Sequence, residues 1–238
     1  MKSIEQLKVK IFADGADLDG ILKLYRNPHI KGFTTNPTLM RKSDISDYER
    51  FSRQVLEHIN DRPISFEVFS DEFNEMERQA RKIAGWGENV YVKIPITNTR
   101  RESSVELVHR LACDGIRLNV TALMTPKQVS AVSKALERNV PSYISVFAGR
   151  IADTGRDPMP LMKEAVEIMS PYKTQELIWA SPRELLNIFH ADEVGCHIIT
   201  VTHDVLQKLT LVGKDLDEYS LETVKMFYYD AQKAGYKI

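Results

Sequence analysis

Short apolar runs alternate with helix-like stretches along the whole chain, and this alternation is compatible with very few architectures. Each run is rich in β-forming residues, and each is followed by a segment whose apolar residues recur at helical spacing. The predicted strands cover residues 9–13, 32–35, 64–68, 90–94, 117–121, 143–146, 177–179 and 197–201. Eight such βα units in 238 residues are the expected content of a (βα)8 TIM barrel. A doubly wound open sheet shares the alternation and is the main alternative.

Two helix starts carry explicit signals, and one further helix is predicted near the C-terminus. Residues 125–128 read T-P-K-Q, a capping box with proline at the first helical position, and residues 181–184 repeat the signal as S-P-R-E. The last predicted helix covers about residues 221–234 and contains three consecutive aromatic residues. This helix could cover the barrel or pack on a neighbouring subunit. We therefore expect an α/β chain with a single TIM-barrel domain over residues 1–238 and an additional C-terminal helix.

Composition and charge exclude several classes of protein. With 43% hydrophobic and 27% charged residues, the chain can bury the core of one globular domain. Its net charge of -1 gives no overall attraction to nucleic acids or anionic membranes. No apolar run reaches the length of a membrane span, and the N-terminus lacks the apolar region of a signal peptide. Cys113 and Cys196 form neither a CxxC motif nor a disulfide framework. These observations predict a cytoplasmic protein with reduced thiols.

A lysine interrupts the fourth predicted strand. Residues 90–95 read V-Y-V-K-I-P, so that Lys93 stands among β-forming, mostly apolar residues. Burial disfavours a charged amine and favours its neutral form. A neutral amine is a nucleophile that can form a Schiff base with a carbonyl compound. The alternative is a structural lysine that extends to solvent or pairs with a carboxylate.

Polar residues recur where the other predicted strands end. In a barrel these ends meet at one face, which carries the active site. The candidates at this face are Asp14, Thr35, Asn36, Glu67, Lys93, Asn119, Thr121 and Ser145. Each also has a structural interpretation, such as helix capping by Asp14 or Asn36. Their joint placement at one face favours a catalytic site. Asp14 and Glu67 could transfer the protons that carbinolamine dehydration and carbon–carbon cleavage require.

A second group of residues suggests a phosphate site. Ser181 and Arg183 lie at the predicted helix start, where free N–H groups favour an anion, and Arg150 follows the sixth strand. Arginine offers paired donors that suit phosphate. The alternative is that Ser181 only caps its helix and that Arg183 is solvated.

A contiguous group of metal-ligand residue types provides a third interpretation. His190, Asp192, Glu193, Cys196 and His197 could serve a metal-dependent hydrolase. This segment precedes the eighth strand, at the face opposite the proposed site. A polar connecting loop is therefore the preferred interpretation.

Three segments resemble the motifs of the transaldolase family, which includes the related fructose 6-phosphate aldolases. Residues 32–39 read G-F-T-T-N-P-T-L and resemble the family motif G-x-T-T-N-P-[ST]-L. Residues 91–97 read Y-V-K-I-P-I-T and resemble its Schiff-base lysine motif, V-K-[IV]-P. Residues 180–183 read A-S-P-R and resemble its phosphate-binding A-S-x-[RK]. The resemblance extends in the right order from residue 9 to about residue 209.

The resemblance implies a (βα)8 barrel that uses neither metal nor cofactor and acts on sugar phosphates. In such a barrel, Lys93 forms the Schiff base and Asp14 is the acid/base for carbon–carbon cleavage. Glu67 and Thr121 hold the catalytic water and shuttle protons. The substrate-binding residues are Thr35, Asn36, Asn119, Ser145 and Phe147, and the phosphate-binding residues are Arg150, Ser181 and Arg183.

Two positions bear on the branch of this family that the chain resembles. Transaldolases have glutamate where Glu67 stands and phenylalanine where Phe147 stands, whereas the aldolases have glutamine and tyrosine. The resemblance therefore implies transfer of a dihydroxyacetone unit from fructose 6-phosphate or sedoheptulose 7-phosphate to an aldose phosphate, as in the pentose phosphate pathway. The alternatives are an aldolase that releases free dihydroxyacetone and a non-catalytic sugar-phosphate-binding barrel. We further expect a homo-oligomer, from a dimer to a decamer, and no nucleic-acid or membrane partner.

Overall fold

Eight parallel strands form a closed barrel in which each strand pairs with its neighbours in chain order, from β1 to β8 and back to β1. The computed structural model describes residues 2–237. The strands are β1 (Lys10–Asp14), β2 (Ile30–Thr34), β3 (Ile64–Glu67), β4 (Val90–Pro95), β5 (Leu118–Leu123), β6 (Ser142–Val146), β7 (Gln175–Trp179) and β8 (Ile198–Thr202). The predicted (βα)8 barrel is thus confirmed, and the open doubly wound sheet is wrong.

Helices on the outside of the barrel connect successive strands, and further helices follow β8. They are α1 (Leu18–Tyr25), α2 (Pro37–Lys42), α3 (Tyr48–His58), α4 (Phe73–Ala84), α5 (Val105–Cys113), α6 (Pro126–Ala135), α7 (Ala148–Ala152), α8 (Met159–Met169), α9 (Leu186–Glu193), α10 (His203–Gln207) and α11 (Leu216–Ala234). Short 3-10 turns cover Ile4–Gln6 and Lys208–Leu211. The capping box predicted before α6 is confirmed, since Thr125 and Gln128 each bond the backbone N–H of the other.

The second predicted helix start is wrong. The helix after β7 begins at Leu186, and Ser181 has a left-handed φ of 60° that no helix start requires. The reason is a close approach to α7, because a Cβ built on Gly149 would lie 1.5 Å from the Ser181 carbonyl oxygen. The segment that contains Ser181 and Arg183 is therefore a loop packed against α7.

The C-terminal helix exists but begins earlier than the sequence pattern predicted. It starts at Leu216 because the Asp215 carboxylate accepts hydrogen bonds from the backbone N–H groups of Asp217 and Glu218. It ends at Ala234, where Gly235 adopts a left-handed φ of 68°. None of the side chains of α11 is buried.

The core has two layers. The larger layer lies between the strands and the surrounding helices. The smaller layer fills the barrel interior and consists of Phe12, Tyr91, Tyr143, Ile178, Ala180 and Ile198. Tyr91 and Tyr143 stack with ring centroids 4.0 Å apart, and Phe12 meets Tyr143 edge to face at 5.7 Å. A Cβ on Gly32 would lie 2.5 Å from the Phe12 ring, so this ring fits only because residue 32 is glycine.

Among residues 2–237, the helices include no segment that is both long and apolar enough to cross a membrane.

Candidate active site

Polar side chains occupy the barrel interior beyond the aromatic layer. Alternate residues of each strand face the interior, so the residue two positions after a packed aromatic points into the same space nearer the strand end. Asp14 follows Phe12 in this way, Lys93 follows Tyr91, and Ser145 follows Tyr143. The strand ends therefore place these predicted site residues on an apolar floor.

Lys93 lies at the centre of this polar group. Its side chain is buried, and its Nζ lies 3.1 Å from Glu67 Oε2. The same Nζ donates a hydrogen bond of 3.2 Å to the Thr35 carbonyl oxygen. The lysine is thus both buried and paired with a carboxylate. The amine of Lys93 and the carboxylate of Glu67 are therefore in direct contact, and such a pair can exchange protons.

Asp14 is held at the end of β1 by neighbouring side chains. Thr34 Oγ1 donates to Asp14 Oδ1 at 2.8 Å, and Asn36 Nδ2 approaches Oδ2 at 3.4 Å. Because the Thr34 hydroxyl has one proton, its bond with Thr200 must be donated by Thr200. Burial raises the pKa of Asp14 above its ordinary value, opposed by the positive charge of Lys93 and the Thr34 hydrogen bond. This carboxyl is suited to acid/base work closer to neutral pH than an ordinary aspartate.

Asn119 joins three strands across the floor of the site. It is fully buried, its Nδ2 donates to Ser65 Oγ at 3.0 Å, and its Oδ1 accepts from Ser145 Oγ at 2.7 Å. These bonds fix which way the amide points. The predicted sugar contacts of Asn119 and Ser145 would therefore be made by side chains already held in place.

Thr121 lies on an irregular part of β5. The pairing between β5 and β6 shifts register between Val120 and Leu123, and Ala122 has a left-handed φ of 63°. Such bulges re-aim the neighbouring side chains. Thr121 Oγ1 is buried and has no hydrogen-bond partner within residues 2–237. A buried hydroxyl without a protein partner is costly, which supports the predicted water-holding role of Thr121.

Asn36 and Thr35 each combine a backbone contact with a contact to a candidate site residue. Asn36 caps α2, because its Oδ1 accepts from the Leu39 N–H at 3.0 Å, while its Nδ2 approaches Asp14. The structural and the site interpretations of Asn36 are therefore compatible. The Thr35 hydroxyl donates to the Ser65 carbonyl, and the Thr35 carbonyl accepts from Lys93. Thr35 thus contacts the Lys93 amine through its main chain.

The three residues predicted to bind phosphate lie on adjacent segments after β6 and β7. Arg150 is exposed on α7, with its guanidinium 5.8 Å from the ring centroid of Phe147, which packs against the inner aromatic layer. Ser181 lies against Gly149, and Arg183 forms an ion pair with Asp153. Since α9 begins only at Leu186, any phosphate here would be bound by arginine side chains and loop atoms, without the predicted helix N-terminus.

Tyr48 is a site residue that the sequence analysis missed. Its hydroxyl donates to the Glu67 carbonyl at 3.0 Å and accepts from the Glu67 N–H at 2.8 Å. Burial raises the pKa of Tyr48, so the hydroxyl remains protonated and able to donate. In the sequence, a tyrosine such as Tyr48, the first residue of α3, is indistinguishable from a packing residue. Only the tertiary contact reveals that it holds the backbone of Glu67.

The residues of the alternative metal site do not converge. Asp192 accepts hydrogen bonds from Lys2 Nζ and from the backbone N–H groups of Lys8 and Val9. Cys196 is buried, and His197 Nδ1 accepts from the Leu177 N–H at 3.1 Å. These groups organise the starts of strands, at the barrel face opposite Lys93. The structure gives the metal-hydrolase interpretation no support.

Sequence comparison identifies a family profile and several proteins to which the chain is similar. The profile described as Transaldolase/Fructose-6-phosphate aldolase matches residues 11–238. A probable transaldolase of Thermoanaerobacter sp. is 33% identical over 231 residues, covering 97% of this chain and 100% of that protein. A probable transaldolase of Dehalococcoides mccartyi is 34% identical over 204 residues, covering 84% and 90%. A probable transaldolase 2 of Listeria monocytogenes is 35% identical over 202 residues, covering 84% and 88%.

Comparison with solved structures shows the fold alone. The crystal structure of 2,3-dimethylmalate lyase, a member of the PEP mutase/isocitrate lyase superfamily, aligns with a TM-score of 0.55 at 10% identity. The alignment covers 98% of this chain and 86% of the lyase. A cube-shaped protein cage designed by fusing oligomeric domains aligns equally well, at 10% identity over 97% of this chain and 82% of that one.

Proposed function

The chain belongs to the transaldolase/fructose-6-phosphate aldolase family, and from this premise we propose that it is a transaldolase that works through a Schiff base on Lys93. The donor would be fructose 6-phosphate or sedoheptulose 7-phosphate, and the acceptor an aldose phosphate. The observation that carries the proposal is the placement of Lys93, buried at the barrel centre with Glu67 3.1 Å from its amine. Asp14 stands at the end of β1 within the same polar group.

The first half-reaction uses these groups in sequence. Lys93 Nζ attacks the C2 carbonyl of fructose 6-phosphate, and the carbinolamine loses water to give a protonated imine. Glu67 lies close enough to exchange protons with the amine, and the Thr121 hydroxyl, unpaired within residues 2–237, would hold the water that leaves and returns. Asp14 then takes the proton of the C4 hydroxyl, the C3–C4 bond breaks, and its electron pair moves into the imine. Glyceraldehyde 3-phosphate leaves as the first product.

The second half-reaction reverses these steps on a different aldehyde. The dihydroxyacetone unit remains on Lys93 as an enamine, whose carbon attacks the carbonyl of an acceptor such as erythrose 4-phosphate. Asp14 returns its proton to the new hydroxyl, and hydrolysis of the imine releases sedoheptulose 7-phosphate. Arg150 and Arg183 would hold the phosphate groups, with Arg183 exchanging its Asp153 partner for the substrate.

Borohydride trapping tests the nucleophile directly. The protein is incubated with fructose 6-phosphate and borohydride, and the peptides are analysed by mass spectrometry. We expect a reduced dihydroxyacetone adduct on the peptide that contains Lys93. The Lys93→Met variant should show no adduct. The control Lys10→Met changes an exposed strand lysine paired with Glu176, and its Lys93 peptide should carry as much adduct as that of the unsubstituted protein. Labelling that survives in Lys93→Met would refute the Schiff-base proposal.

The ratio of transfer to free cleavage separates a transaldolase from an aldolase. Glu67 and Phe147 support the transaldolase assignment, since the chain resembles that branch at both positions. We expect fructose 6-phosphate turnover to depend on an added aldose phosphate, with little free dihydroxyacetone formed. Rapid release of free dihydroxyacetone without an acceptor would assign the chain to the aldolases. No turnover and no adduct would support the non-catalytic sugar-phosphate-binding barrel.

The surface of α11 supports the proposal that the chain assembles with copies of itself. Its large apolar side chains are exposed to solvent, namely Leu216, Tyr219, Leu221, Val224, Met226, Phe227, Tyr228 and Tyr229. Exposed apolar patches of this kind mark interaction surfaces. A second copy of the chain is the occupant we propose.

A further inference from the structure

Three side chains of metal-binding type converge on the outside of the barrel, away from the candidate active site. His109 and Cys113 are one turn apart on α5, and Glu137 follows the end of the adjacent helix α6. One donor atom from each lies within 4.8 Å of the others. We propose that His109, Cys113 and Glu137 bind a zinc ion that links α5 to the end of α6.

The spacing of the donor atoms matches a tetrahedral zinc site. Zinc bonds of about 2.3 Å to sulfur and about 2.0 Å to nitrogen or oxygen place neighbouring tetrahedral donors about 3.5 Å apart. Cys113 Sγ lies 3.7 Å from His109 Nε2 and 3.4 Å from Glu137 Oε1. Both separations are close to this value before any ion pulls the ligands together.

The histidine has the tautomer that a zinc site requires. Cys113 Sγ lies almost equally far from its two ring nitrogens, 3.8 Å from Nδ1 and 3.7 Å from Nε2. His109 Nδ1 lies 3.0 Å from the Ala135 carbonyl oxygen. A carbonyl can only accept, so Nδ1 carries the proton and Nε2 presents its lone pair. Metal-binding histidines characteristically donate their second ring nitrogen to a carbonyl or carboxylate in this way. The end of α6 therefore supplies the group that orients His109, and Glu137 follows two residues later.

The mixture of donors indicates zinc, and the position of the site indicates an ion that stabilises the fold without taking part in the proposed chemistry. Sulfur and imidazole ligands select zinc over magnesium or calcium, which prefer oxygen. Cys113 and Glu137 lie at the C-terminal ends of their helices, which in this fold are near the barrel face opposite Lys93. That face contributes to stability in barrels of this kind. Three protein ligands leave the fourth zinc position to water.

Metal titration of the full chain tests the proposal. After treatment with a chelator and a non-thiol reductant, the protein is titrated with zinc chloride in competition with a chromophoric chelator, and separately with cobalt chloride. We expect one saturable equivalent and a thiolate-to-cobalt charge-transfer band. Cys113→Ser should weaken zinc binding at least about tenfold and abolish the band. The control His58→Gln, which changes an exposed histidine on α3, should alter neither.

Thermal melting gives a second and independent readout. Zinc should raise the melting temperature of the parent protein and of His58→Gln, and should have a much smaller effect on Cys113→Ser. Magnesium should have no effect on any of them. The Lys93→Met variant should bind zinc like the parent, because the site is separate from the proposed chemistry. Equal zinc affinity in the parent and Cys113→Ser, or cobalt binding without a thiolate band, would overturn the proposal.

Discussion

At the scale of single residues, the candidate site depends on side chains that hold other side chains. Lys93 contacts Glu67, Glu67 is fixed through its backbone by Tyr48, and Asp14 is fixed by Thr34. The groups proposed to react with substrate are therefore distinct from the groups that position them. Substitutions of the two kinds should have different kinetic signatures.

Tyr48→Phe should impair catalysis through Glu67. The change removes one oxygen and leaves the N–H and the carbonyl of Glu67 without their partner, at a cost of about 1–3 kcal/mol in the free energy of unfolding. We expect kcat for transfer to fall roughly ten- to a hundredfold, because small displacements of a catalytic group are costly. The measurement is kcat and KM well below both melting temperatures. Tyr25→Phe, which loses only an exposed bond to Asp61, is the matched control. A kcat unchanged in Tyr48→Phe would show that Glu67 needs no such support.

Asp14→Asn should inactivate the protein and stabilise its fold. Because burial raises the pKa of Asp14 in the folded state, the folded protein binds this proton more tightly than the unfolded chain does. Above the pKa of Asp14 in the folded protein, the ionised carboxylate therefore destabilises the fold. This penalty disappears as the pH falls to the pKa of the same group in the unfolded chain. We expect Asp14→Asn to melt at a higher temperature than the parent near neutral pH, with a smaller difference in acid. The exposed Asp19→Asn variant is the control.

The same raised pKa sets the acid limb of the activity profile. In the proposed mechanism Asp14 must be ionised to accept the C4 hydroxyl proton. As the pH is lowered, kcat/KM should therefore begin to fall at a pH above the pKa of an ordinary aspartate. An acid limb at the usual aspartate pKa, or Asp14→Asn melting below the parent at neutral pH, would contradict the burial of this carboxyl.

At the scale of elements, the bulge in β5 is a local distortion beside the candidate site. Ala122→Gly relieves a left-handed conformation that costs an L-residue about 1–2 kcal/mol, and this gain is partly offset by the greater freedom of glycine in the unfolded chain. We expect the melting temperature to stay equal or rise. Ala131→Gly, inside α6, should instead cost about 1 kcal/mol. Equal destabilisation by both changes would show that residue 122 is not left-handed.

Element types were largely predictable from the sequence, because apolar periodicity records which face of each segment is buried. All eight strands lie within two residues of their predicted bounds. The error at residues 181–184 arose because S-P-R-E matches a cap signal locally, whereas the close contact of Ser181 with Gly149 is tertiary. For the same reason the sequence could indicate Lys93 and Asp14 but not Tyr48, whose role depends on a bond between α3 and β3.

At the scale of the whole molecule, α11 should determine the state of assembly. Its exposed apolar residues include Phe227, and we expect the parent protein to elute as a homo-oligomer. Phe227→Glu should dissociate that oligomer, since it would place a charge in the proposed contact. The control Lys225→Glu changes charge on the same helix and should dissociate it less. Light scattering coupled to gel filtration measures both, and a monomeric parent protein would exclude assembly through α11.

The aromatic layer inside the barrel has a consequence for the order of events in catalysis. The rings of Phe12, Tyr91 and Tyr143 close the barrel interior beneath Lys93. Every molecule that reaches the amine must therefore enter and leave at the C-terminal ends of the strands. In the proposed reaction, glyceraldehyde 3-phosphate would therefore leave before the acceptor sugar takes its place. Initial rates at several fixed acceptor concentrations should give parallel double-reciprocal lines, whereas intersecting lines would mean that both sugars are bound at once. The packing of three rings would thus impose a ping-pong order on the two substrates.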